Sequence, residues 1–224
     1  MKCPSCKSYE QQVVLFLHRL MNEYSFIING IMARITDLKR IERLKQSTMK
    51  LVVEKGFGGA SAILIAKDAG VAAGYFYRHY KGKKEMVNSL LHDVYQEMFT
   101  KFTELSLQGL AFSDITGNMI RSFIELTNTN PVKIKFLYVL THDYSFVVDP
   151  SIKENIFQLL IQLKNLGHET GELDMKINEE DLYQILIMNV LQTINLEFRK
   201  QKGKNSFKNP ATEHLVYLTG KVLR

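Results

Sequence analysis

The sequence is poor in cysteine (two), poor in proline (four), without tryptophan and without a long apolar run, and each shortage removes a class of protein. Its two cysteines, Cys3 and Cys6, stand together in Cys-Pro-Ser-Cys. Structural zinc takes four ligands, commonly from two such pairs. No second pair exists and His18 is badly spaced, so a reduced, solvated tail is expected and no metal site. Four prolines and thirteen glycines in 224 residues favour long helices over a turn-rich β fold. The apolar runs are interrupted well short of the roughly 18–20 residues that cross a bilayer. Val13–Leu17 is shorter than the about 7–15 residues of a secretory core, and His18 and Arg19 follow it directly. The expectation is a cytoplasmic protein with no membrane partner.

Signs of catalysis are equally scarce. The six histidines (His18, His79, His92, His142, His168, His214) form no metal-ligand pair at helical spacing. No phosphate-binding glycine loop, nucleophile–base motif or paired carboxylate stands out. His142 and Asp143 are adjacent, and neighbours on a helix point about 100° apart, so they do not converge. No catalytic residue, no cofactor and no enzymatic activity are expected.

What is present is unevenly placed charge. The net charge is +6, yet Met32–Glu85 holds twelve Lys/Arg against five Asp/Glu, and the remainder is close to neutral. A basic module on a near-neutral body is the electrostatic footprint of a polyanion binder, although acidic proteins and lipids also meet basic patches.

The apolar periodicity is helical throughout, giving an all-α fold. Residues 1–31 show no clean stripe; they are taken as an upstream extension preceding a start at Met32, or else as a flexible arm. The segment 32–85 reads as three helices. The first starts near Thr36 with Ile41, Leu44, Thr48, Leu51 and Val52 on one face, and Gly56 ends it. Ser61 caps a short second helix carrying Ile65, Ala66 and Ala69. Gly70 breaks the chain, and a third short helix covers about Ala72–His79. Ala66, Ala69, Ala72, Ala73 and Gly74 supply the small side chains that a close helix crossing needs. Short helices joined by a tight Gly-bearing turn form a helix-turn-helix pattern. Residues 86–224 read as a larger helical body, about nine helices in the whole chain. A helix from Lys83 has two stripes: Met86, Leu90, Val94, Met98, Phe102, Leu105, and beside it Val87, Leu91, Tyr95, Phe99. Helices follow from Ser113, Pro131 and Ser151, Gly167 and Gly171 bracket a loop, and Glu179 to about Arg199 is strongly apolar. Gly203–Asn209 is a polar loop before a last helix led by Pro210.

Between Ile65 and Met86 the residues Ile65-Ala66, Gly70-Val71, Gly74, Phe76-Tyr77, His79-Tyr80 and Lys81-Gly82-Lys83-Lys84-Glu85-Met86 resemble the signature of the TetR (tetracycline repressor) family. Gly56-Phe57 also fits, as does Gly167-His168-Glu169-Thr170-Gly171-Glu172-Leu173 further on. The close match covers about 50 residues. Departures are Ala72 where the family often has Ser, Ile63 and Leu64 where polar or basic residues are common, and Lys84 in place of an acidic residue.

The resemblance implies an N-terminal DNA-binding domain followed by a helical ligand-binding and dimerisation domain. The third helix would enter the major groove by its N-terminal end. Ala73 and Tyr75 would face base edges, Gly74 would let the backbone approach closely, and Ala72 would stand at the entering end without the cap and possible phosphate contact of a Ser, with Arg78 and DNA shape contributing to discrimination. Tyr77, His79 and Lys83 would meet phosphates, and Ser61 and Ala62 would offer backbone amides. Tyr95, Phe99, Phe102, Phe123, Phe136, Tyr138, Tyr144 and Phe157 come from helices that surround the effector cavity in similar proteins; plain packing is the competing reading for each. Leu182, Ile185, Leu186, Val190 and Ile194, with Leu215, Leu218 and Val222, would form the homodimer interface. The implied partners are double-stranded operator DNA, a second copy of the chain and a small-molecule inducer. The competing reading is a helical ligand-binding or protein-interaction module that has lost DNA binding, as Ala72, Ala73, Ile63 and Leu64 allow.

Overall fold

The computed structural model describes residues 34–106, 108–200 and 209–224. The extension 1–31 with Cys3 and Cys6, and the loop beginning at Gly203 up to residue 208, lie outside the described residues, as do the side chains of Phe102 and Leu105. Two compact units are separated after Leu44. In the first, residues 34–44 are helical. The second, Lys45–Arg224, is all-helical among its described residues and opens with helical residues 45–59, here α1.

The next two helices are short because their ends are specified chemically. Helix α2 (Ala62–Asp68) starts where the Ser61 hydroxyl accepts the Leu64 N–H at 3.2 Å. Gly70, at φ +65°, turns the chain after it. Helix α3 (Ala73–His79) follows with Ala72 as an N-cap that contributes no side-chain bond. Ile65, Ala66 and Ala69 from one side and Phe76 from the other are buried where α2 and α3 pack. Gly56 takes the left-handed conformation expected of it, φ +72°, although helical residues continue to 59.

Helix α4 (Lys83–Ser106) carries the two predicted stripes as far as its middle. Met86, Leu90 and Val94 are buried, as are Val87, Leu91 and Tyr95, so both faces are covered there. The body is organised round α5 (Phe112–Thr129), which packs against α4, α6 (Pro131–His142), α7 (Pro150–Thr170), α9 (Asn189–Lys200) and α10 (Asn209–Val222). A helix with so many neighbours must be apolar over most of its circumference, and only a face with Asp114, Arg121 and Glu125 is left exposed. Ile115, Ile120, Phe123 and Ile124 supply this, and the buried hydroxyls of Thr116 and Thr127 bond back to Phe112 O and Phe123 O. Each large side chain so buried contributes about 1.5–3 kcal/mol.

Prolines and caps set most remaining boundaries. Pro131 and Pro150 sit in the first turns of α6 and α7, and the Asn130 and Asp149 side chains cap them. Gly167 corrects the predicted loop: it lies inside α7, which continues to Thr170 before Gly171 ends it at φ +70°. The reason is packing, since a Cβ on Gly167 would stand 2.7 Å from Leu173 and 2.8 Å from Phe112. Glu172 then reaches back to the start of α5, accepting Phe112 N–H, Ser113 N–H and the Ser113 hydroxyl at 2.6–3.1 Å. The predicted single helix from Glu179 is also modified. Helix α8 (Glu179–Tyr183) passes through one π-helical turn, Gln184–Met188, before α9.

Candidate functional site

The outward surface of α3 is built by what its inward residues do. Tyr75 and Phe76 are buried, which leaves Ala72, Ala73, Gly74, Tyr77 and Arg78 exposed. Tyr77 is 54% exposed, unusual for so large an aromatic group. The burial of Tyr75 corrects its expected place against the bases. Its ring lies 4.7 Å from that of His79 and is covered at 4.7 Å by the Arg78 guanidinium. In this position Tyr75 holds Arg78 and His79 at the outer end of α3. Ser61 is exposed and Ala62 half-buried at the start of α2, with Ile63 exposed beside them. Lys67, Lys81 and Lys84 are exposed. The surface is therefore small and uncharged at the first turn of α3, phenolic and cationic further along, and basic around it. That arrangement allows close backbone approach at the centre and phosphate contacts at the edges.

Lys83 departs from its expected phosphate role. It is half-buried, its ammonium donates to the carbonyls of Phe57 and Gly58, and it stands 4.1 Å over the Phe57 ring. Burial lowers its pKa, partly offset by the Asp143 carboxylate. Asp143 completes this cluster. Its carboxylate accepts the Phe57 N–H at 2.8 Å, and the Ser145 N–H and hydroxyl at 2.9 and 2.6 Å. The Ser145 hydrogen bonds hold its pKa below the usual carboxylate value, with the Phe57 N–H and Lys83 adding to the effect. Phe146 packs on Phe57 with ring centroids 4.9 Å apart. The left-handed turn at Gly56 is what releases the Phe57 N–H from the helix to Asp143. Sequence reasoning set Asp143 aside as a catalytic candidate and missed this joint between the end of α1, the start of α4 and the loop after α6.

Behind the joint lies a cavity of about 330 Å³ among α4, α6, α7 and α8. Tyr95 and Phe157, two of the eight predicted pocket residues, line it. Phe123 and Phe136 are consumed by the core at 2% and 0% exposure, because α5 and α6 face each other there. Phe99 and Tyr138 are half-buried, stacked on Tyr95 and His142 respectively. Tyr144 is corrected outright: it is fully exposed, since Asp143 draws Ser145 into a tight turn and leaves the intervening side chain in solvent. The side chain of Phe102 lies outside the described residues. Tyr183, Lys153, Gln184 and Thr141 also line the cavity and were not anticipated. The available signal was Tyr183-Gln184, two polar-tipped residues inside an otherwise apolar stretch.

The predicted dimer residues divide. Leu182, Leu186, Val190 and Ile194 are fully buried within the chain and cannot face a partner, whereas Leu215, though largely buried, lines the groove between α9 and α10. The correction follows from the helix period: the four buried positions share the face of α8–α9 turned to the core. Ile185 is half-buried, while Leu218 and Val222 are 46% and 60% exposed. These three, with Asn189, Thr193 and His214, line an open groove between α9 and α10. Among the described residues no group of histidine, cysteine and carboxylate side chains is arranged to hold a metal, and no helix is long and apolar enough to cross a membrane.

Comparison with known proteins gives this geometry its context. The family of bacterial regulatory proteins, tetR family, matches residues 46–90, which contain α2, α3 and the start of α4. An HTH-type transcriptional regulator of Staphylococcus aureus is 22% identical over 147 residues, spanning 64% of this chain and 77% of that protein. A TetR family transcription regulator from Marinobacter aquaeolei shares the fold with a TM-score of 0.68 at 14% identity, over 85% of this chain and 98% of the other. The regulator FadR of Bacillus subtilis, solved in complex with stearoyl-CoA, aligns with a TM-score of 0.56 at 18% identity over 82% and 95% of the two chains. The helix-turn-helix is thus matched in sequence by the TetR family over residues 46–90, and the helical body shares the architecture of TetR-family transcriptional regulators.

Proposed function

We propose that the protein is a ligand-responsive repressor that binds a palindromic operator as a homodimer. The outward row on α3 carries this reading: Ala72, Ala73 and Gly74 at the entering end, then Tyr77 and Arg78, with Lys67, Lys81 and Lys84 exposed on the same short segment of chain. The small residues admit the helix to a major groove. Arg78 offers the bidentate donor that reads guanine, and the lysines neutralise phosphates. Dimerisation through the α9–α10 groove would present two heads to successive half-sites.

The cavity and the joint share the chain from the end of α6 onward. Thr141 and Val148 line the cavity, and Asp143 and Phe146, between them, hold Phe57. A ligand that prefers a displaced segment would loosen the Asp143–Phe57 hydrogen bond. It would then change DNA affinity by its differential affinity for the two states, and by no more.

The test is a gel-shift titration against DNA from upstream of the protein's own gene, at two salt concentrations with excess competitor. A competitor-resistant complex that weakens with salt and is lost in Arg78→Ala is the expected result. Binding with no sequence preference, there and on random DNA, would reject the operator reading and favour a protein partner.

A further inference from the structure

The chemistry of the cavity points to a class of effector. Two phenols converge on it, Tyr95 from α4 and Tyr183 from the end of α8. Tyr95 is 5% exposed and Tyr183 half-buried, and neither hydroxyl bonds to another of the described residues. Neither hydroxyl is among the sealed, unpartnered atoms of the core, so each stays open to the cavity, where a phenol on an apolar wall is ready to donate to a ligand. The two groups are close enough that charge on Tyr183 opposes ionisation of Tyr95, and burial raises both pKa values, so both are held as donors. Aromatic faces surround them: Phe157 stacks on Tyr183 at 5.6 Å and Phe99 on Tyr95 at 5.8 Å. The aliphatic walls are Leu91, Leu140 and Ile156. Charge in the lining is limited to one cation and one anion, Lys153 and Glu180, both exposed. The Lys153 ammonium lies over the outer wall, 5.5 Å from the Phe157 ring, with Glu180 also in the lining to offset it, so an ionised ligand among the phenols gains no net countercharge from the lining. The volume, about 330 Å³, is at the small end of ligand cavities.

We infer that the cavity takes a small, uncharged aromatic molecule whose carbonyl oxygen accepts hydrogen bonds from both Tyr95 and Tyr183. The inference rests on the ligand-responsive reading above and deepens it.

Three probes of nearly equal shape separate the possibilities: 2-acetylnaphthalene carries the carbonyl, 2-ethylnaphthalene lacks it, and 2-naphthoate is charged. Binding of each to the full-length protein is measured by equilibrium dialysis, for wild type, Tyr95→Phe, Tyr183→Phe and the double variant. The ketone is expected to bind about tenfold more tightly than the hydrocarbon. Each single variant should lose about three- to tenfold for the ketone and little for the hydrocarbon. Equal binding of ketone and hydrocarbon, preference for the carboxylate, no binding of any probe, or a variant loss shared equally by all three overturns the inference. The last of these would mean that the phenols serve packing alone. Gel shifts with the same probes separate the two levels. Ketone binding that leaves DNA affinity unchanged rejects ligand responsiveness while the ligand class stands; DNA binding released by the carboxylate alone does the reverse.

Discussion

Tyr75 and Tyr77 are two residues apart on one short helix and have opposite fates. Tyr75 spends its ring inside the head, against His79 and under Arg78. Tyr77 stands 54% exposed. Their substitutions therefore predict different measurements. Tyr77→Ala should leave thermal stability within about 0.5 kcal/mol, as exposed changes usually do. If Tyr77 meets a phosphate, it should weaken DNA binding about equally across operator variants. Arg78→Ala should cost about 1–3 kcal/mol of binding and relax preference at one base pair. A selection experiment on randomised half-sites compares the two directly. If Tyr77→Ala alters preference at one position and Arg78→Ala does not, the roles assigned to them are reversed.

At the scale of elements, two joints matter. Glu172 and Gly167 tie the end of α7 to the start of α5. Gly167→Ala forces a methyl against Leu173 and Phe112, and overpacking of this kind costs about 1–3 kcal/mol. A lowered urea midpoint with unchanged slope is the expected readout, and an unchanged midpoint would show that α7 shifts freely. The second joint, Asp143 with Phe57, carries a pH dependence. The Asp143 pKa is depressed by Ser145, the Phe57 N–H and Lys83. A depressed carboxylate contributes stability that is fully present above its ordinary pKa of 3.8 and is lost as pH falls through the lower folded value. Asp143→Asn should remove that part of the acid loss and should blunt release of DNA by ligand, because the joint is already weakened. Unfolding midpoints between pH 5 and 2 check the first expectation, and gel shifts with effector check the second.

The scale of the whole molecule concerns partners. The apolar residues of the α9–α10 region separate into a set that holds the chain together and a set left outside. Leu186→Ala removes a fully buried side chain and should destabilise by about 2–5 kcal/mol. Leu218→Glu with Val222→Glu alters two exposed positions, so folding should persist while the dimer dissociates. Sedimentation velocity distinguishes these outcomes. A monomeric wild type would reject the two-headed reading, and a double variant that stays dimeric would place the interface elsewhere. For a dimer on its operator, log K should fall linearly with log salt, with a slope near −0.9 for each phosphate neutralised.

Much of this was legible in the chain itself. Helical period, capping Ser61, Gly70, Pro131 and Pro150 are local instructions, and α2, α3, α6 and α7 begin where these residues place them. The concentration of cationic residues in Met32–Glu85 is likewise a property of sequence. Tertiary structure decided how apolar and aromatic residues were divided. Periodicity says that Tyr75, Phe136 or Leu186 belongs to an apolar face, but not whether that face meets the core, a cavity or a partner. It decided Lys83 and Asp143 as well, since their shared partner Phe57 lies 26 and 86 residues away. Such contacts depend on which helices pack together, and no local pattern encodes two opposite charges that meet at one residue only when the chain has closed on itself.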